Sequence, residues 1–336
     1  MKANDLSKTH IVLADADVRI ANVMKQALRG MGFENITIVS KGSEVLDIAQ
    51  EEGIDLLITE WELESTNGTD LGKLLRDPSY NQNIMMPIMM STARAEISDV
   101  KSARDSGMSE FLVKPFTSQS LFARLKRSID HPPDFIISEK FTGPDRRRRG
   151  NPPPGMKELR VEEPIKVLGV NQSRNNGRAY MVPNDKRIRK QANLTMPLDQ
   201  LITQEVLVEA QASIDAFKEE SASWIGGDVL ALENAVQQLR VNGNSKKEVL
   251  QLLLSLKSRA GTFGHDNAVK VCFEMYLFMQ HVFDRQADVH HKLAARYVDV
   301  LKILLSQQAE RYDAAMQQAL IDELTKMTQR VRLSQW

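Results

Sequence analysis

Cys272 is the only cysteine in 336 residues, so neither a disulfide framework nor a cysteine metal site can form within one copy of the chain. No apolar run reaches the roughly 20 residues that cross a bilayer. The opening Met1-Lys2-Ala3-Asn4-Asp5 is polar and lacks the apolar stretch of a secretion signal. A cytoplasmic protein without membrane contact is the expectation. Histidines and acids do not gather at ligand spacing on one face, which leaves no metal centre of that kind. Charge of one sign is also missing, because 44 Lys and Arg balance 44 Asp and Glu. What is present, 42% hydrophobic and 26% charged residues, describes a globular chain long enough for two or three domains.

The zero net charge hides an uneven distribution. Residues 1–138 hold 15 basic against 20 acidic side chains, residues 139–190 hold 14 against 6, and residues 191–336 hold 15 against 18. A basic bridge thus joins two acidic regions. It contains Gly143-Pro144-Asp145-Arg146-Arg147-Arg148-Arg149-Gly150 and Pro152-Pro153-Pro154-Gly155 with almost no helical or strand periodicity, which predicts a linker over 132–198. Arg146, Arg147, Arg148 and Arg149 are candidates for docking an acidic partner. Nucleic acid is disfavoured, since only Phe141 and Tyr180 are interleaved with the basic residues and no helix-turn-helix follows.

Over residues 8–131 short apolar runs end in chemistry. Ile11-Val12-Leu13 leads to Asp15 and Asp17, Ile54 to Thr59 leads to Glu60 and Trp61, Pro87 to Met90 leads to Ser91 and Thr92, and Phe111-Leu112-Val113 leads to Lys114-Pro115-Phe116. Amphipathic stretches near 18–31, 42–52, 68–76, 95–106 and 117–130 alternate with them, and strand–helix alternation implies an α/β doubly wound parallel sheet. Such sheets gather ligands at the carboxyl ends of their strands. Carboxylates, a hydroxyl and an ammonium on one rim are the parts of phosphoryl transfer to a side chain.

The segments Thr59-Glu60-Trp61 with Gly68, Ser91-Thr92-Ala93 and Lys114-Pro115-Phe116 resemble, in order and spacing, the motifs of a two-component response-regulator receiver domain. The resemblance implies a five-stranded sheet, with Glu60 at the phosphoacceptor position and Asp15 at a metal-binding acid. It implies Thr92 as the switch hydroxyl, Phe111 as the switch aromatic and Lys114 as the phosphate-contacting lysine. Two departures matter. The family carries adjacent acids after its first strand, and here the first of them is Ala14, leaving at most a weak magnesium site through Asp15 unless Asp17 reaches over. Glu60 replaces an aspartate, and its extra methylene moves the nucleophile about 1.5 Å, a misplacement that can cost about a hundredfold in rate. A catalytically silent domain is expected, with Glu60 as a partial mimic of the phosphorylated state or as a relic.

From 199 to 336 apolar residues recur at three and four spacings, as in Leu207-Ala210-Ile214-Phe217 and Val249-Leu252-Leu253-Leu256, with punctuation at Gly226-Gly227, Asn242-Gly243-Asn244-Ser245, Gly261 with Gly264, and Asp284. A helical bundle follows. Within it Leu254-Ser255-Leu256-Lys257-Ser258-Arg259-Ala260-Gly261-Thr262-Phe263-Gly264 resembles the core of a histidine-phosphotransfer domain. By that resemblance Leu254 falls on the phosphorylated histidine, so no phosphoramidate can form there, and Lys257 is a docking residue. Of the remaining histidines, His265 reads as a helix cap and His290-His291 as part of a charged face.

Two modules, each lacking its phosphorylatable residue, point to a non-enzymatic adaptor that docks to signalling proteins such as a histidine kinase, a receiver or a target, with a second copy of itself also allowed. The alternatives are a working phosphorelay component using nonstandard residues, and an output regulator that binds nucleic acid through the basic bridge.

Overall fold

Runs of Ile, Val and Leu too short for helices form five parallel strands in the computed structural model, which describes residues 3–94, 96–138, 141–145, 165–166, 180–240, 245–284, 287–306 and 312–333. The strands are β1 (Ile11–Ala14), β2 (Ile36–Val39), β3 (Leu56–Thr59), β4 (Ile88–Thr92) and β5 (Glu110–Val113), in the order β2-β1-β3-β4-β5. Every residue of β1, β3 and β4 is buried, which is why their sequence is unbroken rather than alternating. Helices α1 (Val18–Gly30), α2 (Gly42–Glu51), α3 (Gly68–Leu75), α4 (Ile97–Asp105) and α5 (Ser118–Asp130) follow the strands in turn. This is the doubly wound five-stranded sheet the sequence implies. The strand order reverses between β1 and β3, and a crevice opens there above the carboxyl ends.

The chain after α5 departs from the expectation of a tether over 132–198. Strands β6 (Phe135–Ile137), β7 (Thr142–Pro144), β8 (Ile165–Lys166) and β9 (Tyr180–Val182) form a second sheet in the order β7-β6-β9-β8, and helices α6 (Arg187–Gln191) and α7 (Leu198–Leu201) follow. The anchors of this segment are long in sequence and polar. Arg76 is buried and donates to the carbonyls of Gly107, Ile84 and Met86, with the Phe135 ring 5.0 Å from its guanidinium carbon. Burial alone would pull that guanidinium down to about 9. The carbonyl dipoles are what oppose that pull. Asp130 at the end of α5 pairs with Arg189 and accepts from the Leu198 amide at 2.9 Å. Three-residue strands carry no legible period, so the sequence pattern alone reads as loop. Residues Met1–Ile214 form one compact unit.

The second unit, Asp215–Trp336, is helical. It takes most of α8 (Gln204–Gln237), then α9 (Ser245–Thr262), α10 (Asp266–His281), α11 (Asp288–Leu305) and α12 (Ala314–Leu333) around a core that includes Leu232, Val249, Leu253, Val271, Phe278, Tyr297 and Leu301. Gly226-Gly227, expected to punctuate, lies inside α8. Among the described residues nothing stands within 4 Å of where a side chain would project at either glycine. Two helical glycines cost about 1 kcal/mol each, and buried Ile225, Val229 and Leu232 around them outweigh that. Gly264 does end a helix: its φ is +81°, and the following His265 amide returns to the Ala260 carbonyl at 2.9 Å.

Candidate functional site

The main-chain ladder carries one residue past each strand end and so fixes the rim. The Asp15 amide donates to Val39, Glu60 to Ala14 and Lys114 to Thr92, at 2.8 to 3.0 Å. Asp15, Glu60 and Lys114 are all buried there. The Lys114 ammonium lies 2.8 Å from Asp15 Oδ2 and 2.7 Å from Glu60 Oε2. The second oxygen of each acid is also engaged: Glu60 Oε1 accepts from the Trp61 amide at 2.6 Å and Asp15 Oδ1 from the Asp17 amide at 2.9 Å. Burial raises the Asp15 pKa, Lys114 opposes the rise and Glu60 adds to it. For Lys114 burial disfavours the charge, but the two carboxylates win and its pKa goes up.

Gly68 belongs to the site for a steric reason. Its amide donates to the Trp61 carbonyl at 2.7 Å, and a Cβ at this position would stand 2.3 Å from the Glu60 carbonyl oxygen. Only glycine lets α3 start this close to the acid. Asn67 caps the helix from its own side chain, accepting from the Thr69 amide at 3.0 Å.

The structure thus brings together Asp15, Glu60 and Lys114. Asp17 is used otherwise: it caps α1, its Oδ1 accepting from the Arg19 amide at 3.1 Å and from Arg19 Nε at 3.2 Å. Thr92 is buried and its hydroxyl accepts from the Arg94 amide at 3.3 Å. Phe111 is half-buried against the core on the Val12 and Ala14 side of the sheet. Arg94 escapes the sequence reading, and Ser91 enters it only as the neighbour of Thr92 in the motif. Ser91 lines a cavity of about 20 Å³ together with Asp15, Glu60 and Lys114, and its buried hydroxyl has no hydrogen-bond partner among the described residues. Strand alternation is the signal that could have found it, because Ser91 pairs with Leu112, two residues before Lys114. Arg94 lies 4.9 Å over the Trp61 ring and bonds Glu62 at 2.9 Å, so it ties the loop after β3 to the loop after β4.

Magnesium, which the resemblance implies, does not fit these residues. It demands six oxygens in near-octahedral array. Ala14 supplies none, Asp17 faces Arg19, and each oxygen of Asp15 and Glu60 already accepts a hydrogen bond.

In the helical unit Leu254 is half-buried on α9, and the Lys257 ammonium lies 4.8 Å from the centre of the Phe273 ring, itself 42% exposed. Buried Cys272 is next to that ring in sequence, and burial pushes its thiol up to about 12. His265 takes the N-cap position of α10 without a side-chain cap bond. His290 does not belong to a charged face: it is buried against Phe278 and Phe283, and its Nδ1 accepts from the Asp284 amide at 2.8 Å. Arg146, Arg147, Arg148 and Arg149 lie outside the described residues.

Comparison with known proteins bears on the first unit. The family model described as response regulator receiver domain matches residues 11–126. The DNA-binding response regulator MtrA of Mycolicibacterium smegmatis is 31% identical over 136 residues, 39% of this chain and 57% of MtrA. The chain therefore spans little more than half the length of that relative. The chemotaxis protein CheY of Pseudomonas aeruginosa is 27% identical over 117 residues, 35% of this chain and 93% of CheY. Among solved structures, the chemotaxis response regulator CheY4 of Vibrio cholerae aligns at 25% identity and a TM-score of 0.33, covering 35% of this chain and 97% of its own. With the family-model match falling on strands β1 to β5 and on Asp15, Glu60, Thr92 and Lys114, residues 11–126 are a response regulator receiver domain.

Proposed function

We propose that the chain is a cytoplasmic, non-catalytic adaptor of two-component signalling, a pseudo-receiver that acts by docking to signalling proteins rather than by carrying phosphate. The closed Asp15–Lys114–Glu60 arrangement carries this reading. In it the acid at the phosphoacceptor position already occupies the lysine that would steady an incoming phosphoryl group, at 2.7 Å. An attack by Glu60 would first have to break that bond and would start from a carboxylate about 1.5 Å out of place. The helical unit fits the same role as a phosphotransfer-like module with leucine at position 254, leaving Lys257 and Phe273 as docking groups. Its partners are then a histidine kinase, a receiver or a downstream target. The DNA binding in the name of MtrA accompanies a match confined to the receiver, so a nucleic-acid output through Arg146–Arg149 stands behind the adaptor.

The test is direct. The purified chain is incubated with acetyl phosphate and magnesium and weighed intact. No adduct is expected, and a stoichiometric phosphate adduct mapped to residues 11–126 refutes the proposal.

A further inference from the structure

We propose that Lys114 is the resident cation of this receiver: its ammonium does permanently what a divalent metal does elsewhere, and the domain is therefore indifferent to magnesium. This rests on the pseudo-receiver reading and extends it from the phosphoryl group to the metal.

Two buried carboxylates this close need positive charge, because an unpaired buried ion is costly. Lys114 supplies it to both at once, at 2.8 Å and 2.7 Å, and the Asp17 and Trp61 amides serve the remaining oxygens at 2.9 Å and 2.6 Å. Every carboxylate oxygen in the rim thus has a protein donor at hydrogen-bond distance. A magnesium ion, with oxygens at about 2.0–2.1 Å and several of its own waters retained, would have to share these oxygens with their donors and stand against the Lys114 ammonium. It would do so with no third acid among the described residues to receive it, since Ala14 ends β1 where a carboxylate would be needed. The other side of the cavity offers it nothing to bind: Ile20, Met24 and Ile58 form its apolar wall.

Charge points the same way. Asp15, Glu60 and Lys114 together carry one net negative charge, and adding a divalent ion without expelling the lysine would leave the site with one positive charge in a buried rim. Removing the lysine reverses the situation. Both carboxylates then lose the ammonium that neutralises them, and an external cation can take its place.

The experiment uses the full chain, isotopically labelled so that the Trp61 amide, which touches Glu60 Oε1, reports on the site. Wild type is titrated with magnesium chloride to about 10 mM, where a bound ion would stabilise the fold by mass action. The Trp61 resonance and the thermal midpoint are expected not to move. In Lys114→Met the midpoint is expected to fall by about 10 °C without divalent ions and to recover in part with magnesium or calcium, while the Trp61 resonance shifts with saturation. Lys114→Gln, which keeps a donor and removes only the charge, is the second arm and shows the same cation response should Lys114→Met not fold. Saturable magnesium binding by wild type overturns the proposal, as does a lysine variant blind to both cations. Magnesium binding by wild type without a phosphate adduct overturns this inference and leaves the adaptor proposal standing; an adduct removes the adaptor proposal itself.

Discussion

Restoring phosphorylation should take two substitutions. In Glu60→Asp the carboxylate retracts by about one carbon–carbon bond, 1.5 Å, and the 2.7 Å contact with Lys114 opens to about 4 Å. That returns the nucleophile to the depth the receiver chemistry needs and is worth about a hundredfold, or about 2.7 kcal/mol of barrier. The gain has no outlet while magnesium has only Asp15, because charge neutralisation of the phosphoryl oxygens and placement of the nucleophile act on one transition state. Ala14→Asp alone adds the missing acid but leaves Glu60 too long. Each single variant should therefore label with acetyl phosphate at rates close to wild type, and Glu60→Asp with Ala14→Asp should exceed either by at least about a hundredfold, a strongly non-additive cycle. Rapid-quench intact mass spectrometry over a time course reads all four proteins, and thermal melts confirm that each is folded. Full labelling of Glu60→Asp alone would refute the metal half of the reasoning. A double variant that stays unlabelled would refute the assignment of the defect to these two positions.

Two shorter tests address the switch and the helical unit. If Glu60 biases partner binding through its charge, Glu60→Gln, which keeps size and loses the carboxylate, weakens the affinity for a signalling partner measured by calorimetry; equal affinities make Glu60 a relic. In the helical unit, burial holds the Cys272 thiol at about 12 against 9.0 in the unfolded chain. The unfolded state therefore loses that proton first, and stability falls as pH rises above about 9, by up to about 1.4 kcal/mol per pH unit. Tyr297, raised to about 12 from 10.0, adds the same sign only from a unit higher. Denaturant titrations between pH 9 and 10 should show the slope in wild type and its loss in Cys272→Ala; an identical slope in both excludes the thiol as the cause.

The rim was legible in the sequence because each of its groups stands immediately after an apolar run, so position in the chain and position in space coincide. Strand β2 was not legible from its residues, since it lies at the sheet edge with Thr37 and Ile38 half-exposed and has neither the unbroken run of β3 nor a clean alternation. The segment after α5 was missed for another reason. Its contacts, Arg76 with Phe135, Asp130 with Arg189, and Ser118 with the Leu207 carbonyl at 2.7 Å, join residues 59 to 89 positions apart, and local pattern carries no trace of them. Overlooking Ser91 in favour of Thr92 follows from the motif, where two hydroxyls stand side by side and only the register of β4 against β5 separates their faces. His290 shows the limit of reading charge from neighbours: Asp288 and Lys292 pair with each other at 2.9 Å, exposed, while the histidine between them turns inward.

Whether Glu60 can stand in for a phosphorylated aspartate is a question of how many contacts it makes. A phosphoryl group offers close to two negative charges and three acceptor oxygens, enough to hold a lysine and draw a switch hydroxyl inward together. Glu60 offers one charge and two oxygens, and the structure assigns contacts to both: Oε2 holds Lys114 and Oε1 holds the Trp61 amide. The Thr92 hydroxyl meanwhile accepts from the Arg94 amide, at the head of the loop that leads into α4. Lys114 is therefore held by a carboxylate without phosphate, and Thr92 stays with its own loop. A partner that reads the lysine side of the rim meets a surface already set, whereas one that reads the α4 side meets Arg94 stacked on Trp61 and bonded to Glu62. Losing Lys114 removes the ammonium shared by two buried acids, and losing either acid weakens the hold on a buried ammonium, so each single substitution costs stability.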